Sequence, residues 1–136
     1  KNRIRSLERM KYHKNSEAII NLISRYSKLA NTSSVNTYNL LNEIDINVEL
    51  FEKDIEIKVF EVIEKAEKLI SSSYWTYDML ISLFNDNLQL LNELFDNKKG
   101  VLIMAEDIKI RNNRLNLVAL VRNYSLLLAD FTLLSL

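Results

Sequence analysis

Residues 115–136 read LNLVALVRNYSLLLADFTLLSL, and the reading of this stretch decides the fold. Arg122 and Asp130 are its only charges. Asn116, Asn123 and Asp130 recur at seven-residue spacing, so on a helix they line one narrow polar stripe. Leu, Val, Ala, Tyr and Phe dominate the rest of the circumference. A helix apolar over most of its surface has to be buried, in the centre of a bundle or in a membrane, and the other segments are then what covers it.

The bundle is the stronger of the two readings. Arg122 and Asp130 would each cost about 2.5–3.5 kcal/mol near a bilayer centre, with Asn116 and Asn123 adding to that. A membrane-active protein that shields such a helix and releases it on insertion stays as an alternative, but it would want a long apolar hairpin, and the chain offers one such helix.

Composition points the same way. The chain has 136 residues with no cysteine, no proline and a single glycine, Gly100. Strand-rich folds need Gly and Pro at their turns, so this shortage predicts long helices joined by few loops. Without cysteine there are no disulfides or thiolate metal sites, and the compartment is left open. The length suits one helical-bundle domain, residues 1–136, and a start at Lys1 rather than Met suggests a portion of a longer chain.

Outward from the C-terminal stretch, a first helix is expected over about Ile4–Ala30, with Ile19, Leu22, Ile23, Tyr26 and Leu29 on one side. The segment from Val35 to Ile70 supports two patterns. Leu41, Ile44, Val48, Phe51, Ile55 and Val62 form a heptad-like seam, whereas IDINVEL and IEIKV alternate like half-buried strands. The helix is preferred, because the hairpin tip at Glu52-Lys53-Asp54 lacks Gly or Asn and no third strand is available. A third helix is expected from an N-cap at Ser73 to about Asp96. Asn97-Lys98-Lys99-Gly100 reads as its C-terminus, with Gly100 in a left-handed position. A fourth helix from Val101 has a possible break at Arg111-Asn112-Asn113-Arg114. The fold class is all-α: an antiparallel bundle of four or five long helices with a largely buried C-terminal helix.

Net charge is zero, but residues 1–30 sum to +6, residues 31–97 to −9 and residues 98–136 to +3. The basic patch Arg3, Arg5, Arg9 and Lys11 is the one candidate for phosphate contact. No aromatic interleaving or reader motif accompanies it, which argues against nucleic acid as the partner. The single histidine, His13, stands one turn before Glu17 and would suit a phosphotransfer bundle, although a solvated surface histidine is the plainer reading. Carboxylates are plentiful between Glu43 and Glu67, yet one histidine cannot furnish the paired Glu-x-x-His motifs of a di-metal bundle, so no metal and no cofactor are expected. There is no Gly-rich phosphate loop.

A preferred helix over 35–70 leaves a second apolar stripe, Ile46, Leu50, Ile57 and Phe60, opposite the seam. With Trp75 from the cluster Tyr74, Trp75 and Tyr77, this is the candidate interface. The sequence therefore predicts a non-enzymatic interaction module, self-associating or bound to a protein partner. Phosphotransfer through His13 and Glu17, and membrane activity, are the alternatives.

Overall fold

A computed structural model of the chain describes residues 16–37 and 39–127. Its elements, in order, are α1 (Ser16–Ala30), a 3-10 turn (Val48–Leu50), α2 (Asp54–Ile70), α3 (Tyr77–Asp86), α4 (Leu88–Glu93) and α5 (Ile108–Ser125). No strand occurs among the described residues. The all-helical class holds, and so does the buried C-terminal helix: from Asn113 to Ser125 every residue of α5 except Asn116 is buried.

The helices share one apolar core. α5 packs most extensively on α1, whose Ile19, Leu22, Ile23, Tyr26 and Ala30 are buried. Ile55, Val59, Val62, Ile63 and Ala66 line the inward stripe of α2, and Leu80, Phe84, Leu91 and Leu94 close the core from α3, α4 and the residue after it. Each fully buried Leu or Ile contributes about 1.5–3 kcal/mol from apolar area removed from water. Tyr26 and Tyr124 are also fully enclosed, and each hydroxyl is satisfied: Tyr26 donates to the Leu91 carbonyl at 2.7 Å and Tyr124 to Glu67 at 2.7 Å.

Caps set boundaries that differ from the expected ones. The Asp107 carboxylate accepts from the Lys109 and Ile110 amides at 2.8 and 3.1 Å, so α5 starts at Ile108 and residues 101–106 form a loop. Thr76 rather than Ser73 caps α3, accepting from the Met79 amide at 3.3 Å. The expected third helix is interrupted at Asn87, whose side chain donates to the Leu83 carbonyl at 2.8 Å; a short amide competing for the backbone in this way breaks a helix.

The largest departure is residues 35–37 and 39–53, which form neither the preferred helix nor the hairpin. Peptide groups of a non-helical segment must find partners elsewhere, and here α5 supplies them. Asn123 Nδ2 donates to the carbonyls of Asn36 (2.9 Å) and Asn39 (2.6 Å), and Arg122 Nη2 donates to that of Val35 (3.2 Å). The Leu41 amide donates to the Tyr124 hydroxyl (3.1 Å), and Asn116 donates to the Asp45 carbonyl (3.3 Å). Asn113 pairs with Asn47 in both directions, at 2.8 and 3.0 Å. The polar stripe of the apolar helix is thus a row of clamps on a strap. Asp130, the third member of the expected stripe, lies outside the described residues.

Gly100 also has a different reason from the one expected. No residue among those described has positive φ, so handedness does not require it. A Cβ there would collide with the Leu94 carbonyl and lie 2.5 Å from the Glu93 carbonyl and 2.7 Å from the Asp96 amide, all backbone atoms. Close approach selects glycine.

Candidate functional site

The chain's polar chemistry gathers at the end of the bundle where α4 gives way to residues 94–104. Local hydrogen bonds build this loop. Asp96 Oδ2 accepts from the amides of Lys99 (2.8 Å) and Lys98 (2.9 Å), and these bonds, Lys99's first, hold its carboxyl below the usual aspartate range. The Gly100 amide returns to the Asp96 carbonyl (3.0 Å) and the Val101 amide to that of Leu94 (2.9 Å). Lys53, just before α2, reaches across to the carbonyls of Gly100 (2.8 Å) and Lys98 (3.2 Å).

Underneath lies a buried ion cluster. Glu56 is fully buried, and its Oε1 accepts from the Glu52 and Lys53 amides at 2.9 and 3.2 Å, satisfying donors at the start of α2. Arg114, itself 5% exposed, lies 3.4 Å from Glu56 Oε2 and 2.7 Å from Glu52 Oε1, and donates to the Leu102 carbonyl at 2.8 Å. One guanidinium thereby fixes α5, the start of α2 and the loop to each other.

An open groove of about 670 Å³ runs along one side of the loop, lined by Arg25, Gln89, Asn92, Phe95 and Asn97 among others. Phe95 is wedged edge-on against Tyr26, ring centroids 4.8 Å apart, and the Arg25 guanidinium sits 4.6 Å above its ring. Three carboxamides offer paired donors and acceptors, and a guanidinium held over an aromatic ring offers charge and a flat face. Such a set complements the edges of nucleotide bases, whereas Glu93 and Asp96, which also line the groove, oppose the charge of phosphate. A second depression of about 530 Å³, mostly apolar, lies on the other side of the loop between Leu29, Phe95 and Met104.

The residues singled out from sequence lie elsewhere. His13 and the basic patch Arg3, Arg5, Arg9 and Lys11 fall outside the described residues, and Glu17 is exposed in the first turn of α1. Of the interface stripe only Ile57 and Phe60 are on an α-helix, and Leu50 ends the 3-10 turn. Ile57 is 48% exposed, Phe60 is half-buried with its ring 5.9 Å from that of Phe51, and Ile46 and Leu50 are half-buried on the strap. Trp75 is half-buried and packs edge-on against Tyr77 at 5.0 Å. No cluster of three or more potential metal ligands occurs among the described residues, and no described helix is long and apolar enough to cross a membrane. Sequence reasoning missed the groove, because Gln89 and Asn92 look like an ordinary solvated helix face until the fold brings Arg25 beside them.

No family model and no solved structure matches the chain. Curated relatives do, along nearly its whole length. The chain is similar to glycine–tRNA ligase beta subunits. It is 31% identical to that of Synechocystis sp. over 135 residues, covering 96% of the chain and 18% of the relative. With that of Gloeothece citriformis it shares 29% over 133 residues, 96% of the chain and 18% of the relative. With that of Picosynechococcus sp. it shares 34% over 113 residues, 80% and 16%. The chain thus spans about a fifth of the length of these relatives. The matches correct two expectations. Relatives that are subunits of an aminoacyl-tRNA ligase overturn the non-enzymatic interaction module, with its phosphotransfer and membrane-active alternatives. They equally overturn the expectation that no enzyme is involved. Sequence pattern alone held no trace of this, since the chain carries none of the short motifs from which a ligase would be read.

Proposed function

We propose that this chain is a portion of a glycine–tRNA ligase beta subunit and serves aminoacylation by holding tRNA. The observation that carries the reading is the 31% identity maintained over 135 residues, which leaves no substantial part of the chain unmatched. The nucleic acid that charge patterning argued against returns as a partner through the relatives' name. The protein partner expected from sequence returns in a narrower form, as another subunit of the same enzyme. The groove of Arg25, Gln89, Asn92, Phe95 and Asn97 is the surface best suited to RNA bases, because it combines a cation, an aromatic ring and the carboxamides of Asn92 and Asn97 in one concave site, with Gln89 already donating to Glu93 at 3.3 Å.

The test is steady-state charging by the full-length enzyme carrying Arg25→Ala together with Asn92→Ala. Both side chains are exposed and Arg25 gives up only its stacking on Phe95, worth about 0.5–1 kcal/mol, so the fold is kept; circular dichroism checks this. The expected result is a rise of about tenfold in KM for tRNA, the loss of roughly 1.4 kcal/mol of binding, with KM for glycine unchanged. An unchanged KM for tRNA would refute the groove as an RNA contact.

A further inference from the structure

The loop that carries the groove also presents apolar side chains to solvent. Leu102 is 68% exposed and Met104 50%, in a structure whose other apolar side chains are mostly inside. This exposure is built into the backbone. Ile103, between the two, is only 6% exposed and anchors the loop in the core, while Arg114 fixes the Leu102 carbonyl and Lys53 the Gly100 carbonyl. With Ile103 turned inward, its neighbours are held outward. Leu102 and Met104 border the apolar depression of about 530 Å³, so they continue an apolar surface instead of standing alone. Exposed apolar side chains presented this way by a pinned loop mark a surface that another surface covers.

Resting on the reading proposed above, we infer that Leu102 and Met104 form the docking surface for the remainder of the beta subunit, which would meet them with an apolar patch that has a basic rim. More than four-fifths of each similar beta subunit lies outside the matched region, so ample chain is available to cover the patch. The chemistry selects protein over RNA. The exposed side chains themselves are aliphatic and thioether; the one ring lining the depression, Phe95, is already packed against Tyr26 and under Arg25, and the exposed charges that follow along the chain, Glu106 and Asp107 against Lys109, are acidic in balance and disfavour phosphate. It also disfavours a second copy, because a twofold contact through this patch would bring the Glu106 and Asp107 pairs of both copies together. An apolar surface rimmed by Lys or Arg satisfies both features.

The experiment places the photocrosslinking residue p-benzoylphenylalanine at Leu102, and separately at Met104, in the full-length beta subunit, with the same residue at exposed Glu61 as the reference site. Equal amounts of isotope-labelled and unlabelled subunit are mixed before irradiation, so that crosslinks within one polypeptide are distinguished from those between copies. The expected result is a crosslink from positions 102 and 104 to residues of the same polypeptide outside the region matched here, at a yield at least tenfold above that at position 61. A yield no higher than at position 61 would overturn the inference. So would crosslinks confined to residues 1–136, to a second copy, to another subunit or to tRNA. Leu102→Asp with Met104→Asp gives an independent readout: limited trypsin digestion of the full-length subunit should separate this portion from the rest about tenfold faster, and an unchanged rate contradicts docking. The mass of the natural polypeptide is read first. A product of 136 residues would overturn both this inference and the proposed function, whereas a longer subunit without the crosslink overturns the docking alone.

Discussion

Replacing Arg114 with Met tests the ion cluster that joins α5, α2 and the loop. The guanidinium is 5% exposed and the Glu56 carboxylate fully buried, so removing the cation leaves a desolvated charge with only the two amides at Oε1 to support it. Breaking a buried pair from one side typically costs about 3–5 kcal/mol. The Glu56 contact is long, at 3.4 Å, and the Glu52 carboxylate is 59% exposed and so recovers water; both features place the loss at the lower end, about 3 kcal/mol. With a urea dependence of about 1.5 kcal/mol per molar, the unfolding midpoint should fall by roughly 2 M. Urea titration followed by circular dichroism at 222 nm measures it. Adding Glu56→Gln to Arg114→Met removes the stranded charge and should recover at least about 1 kcal/mol. The reasoning fails if Arg114→Met costs under 1 kcal/mol, or if the double variant is no more stable than the single one.

Gly100→Ala forces a methyl against three backbone atoms that cannot rotate away, so the unfolding free energy should drop by about 2–3 kcal/mol; a neutral result in the same titration would show that the loop yields easily. Asn123→Ala strips the donors from the Asn36 and Asn39 carbonyls and should cost about 1–3 kcal/mol, with amide exchange accelerating selectively over residues 36–41. Burial, opposed by nearby Arg25, pushes the Tyr26 hydroxyl above its ordinary value of about 10. Burial and the hydrogen bond to Glu67 do the same for Tyr124. Both pKa values are raised on folding, so their contribution to stability is complete below pH 10 and is lost as pH rises beyond it, where only the unfolded chain ionises; stability should fall steadily above pH 10, and in ultraviolet titration these two of the six tyrosines should ionise only with unfolding.

What could be read from sequence was whatever depends on one helix at a time. The burial of residues 115–125, Asn116 excepted, follows from apolar residues on nearly every side of the turn, and the end of α1 at Ala30 from the polar run after it. The segment after Val35 reads as a helix because its heptad-like seam is real as a pattern, while the competitors for its peptide groups, Asn113, Asn116 and Asn123, lie more than sixty residues away. Asn116 and Asn123 were noticed, but as the wet edge of a buried helix rather than as partners. Arg114 was noticed as part of a polar run that threatened to break the helix, and it is instead the buried centre of an ion cluster. The groove depends on Arg25 and Asn92 meeting across two helices, and no periodicity carries that information.

The clamps on the strap take hold of peptide carbonyls and amides, not of side chains, at Val35, Asn36, Asn39, Leu41, Asp45 and Asn47. Such a grip is indifferent to identity and strict about length. Along the segment Ile44 is buried and Val35, Leu40, Leu41 and Ile46 pack against the core, so these positions stay apolar, while exposed positions such as Thr37 and Asn42 can change. Inserting or deleting one residue would instead move every later peptide group out of register with a helix that cannot follow. Related chains should therefore vary the exposed positions of this segment while keeping its apolar ones and its count.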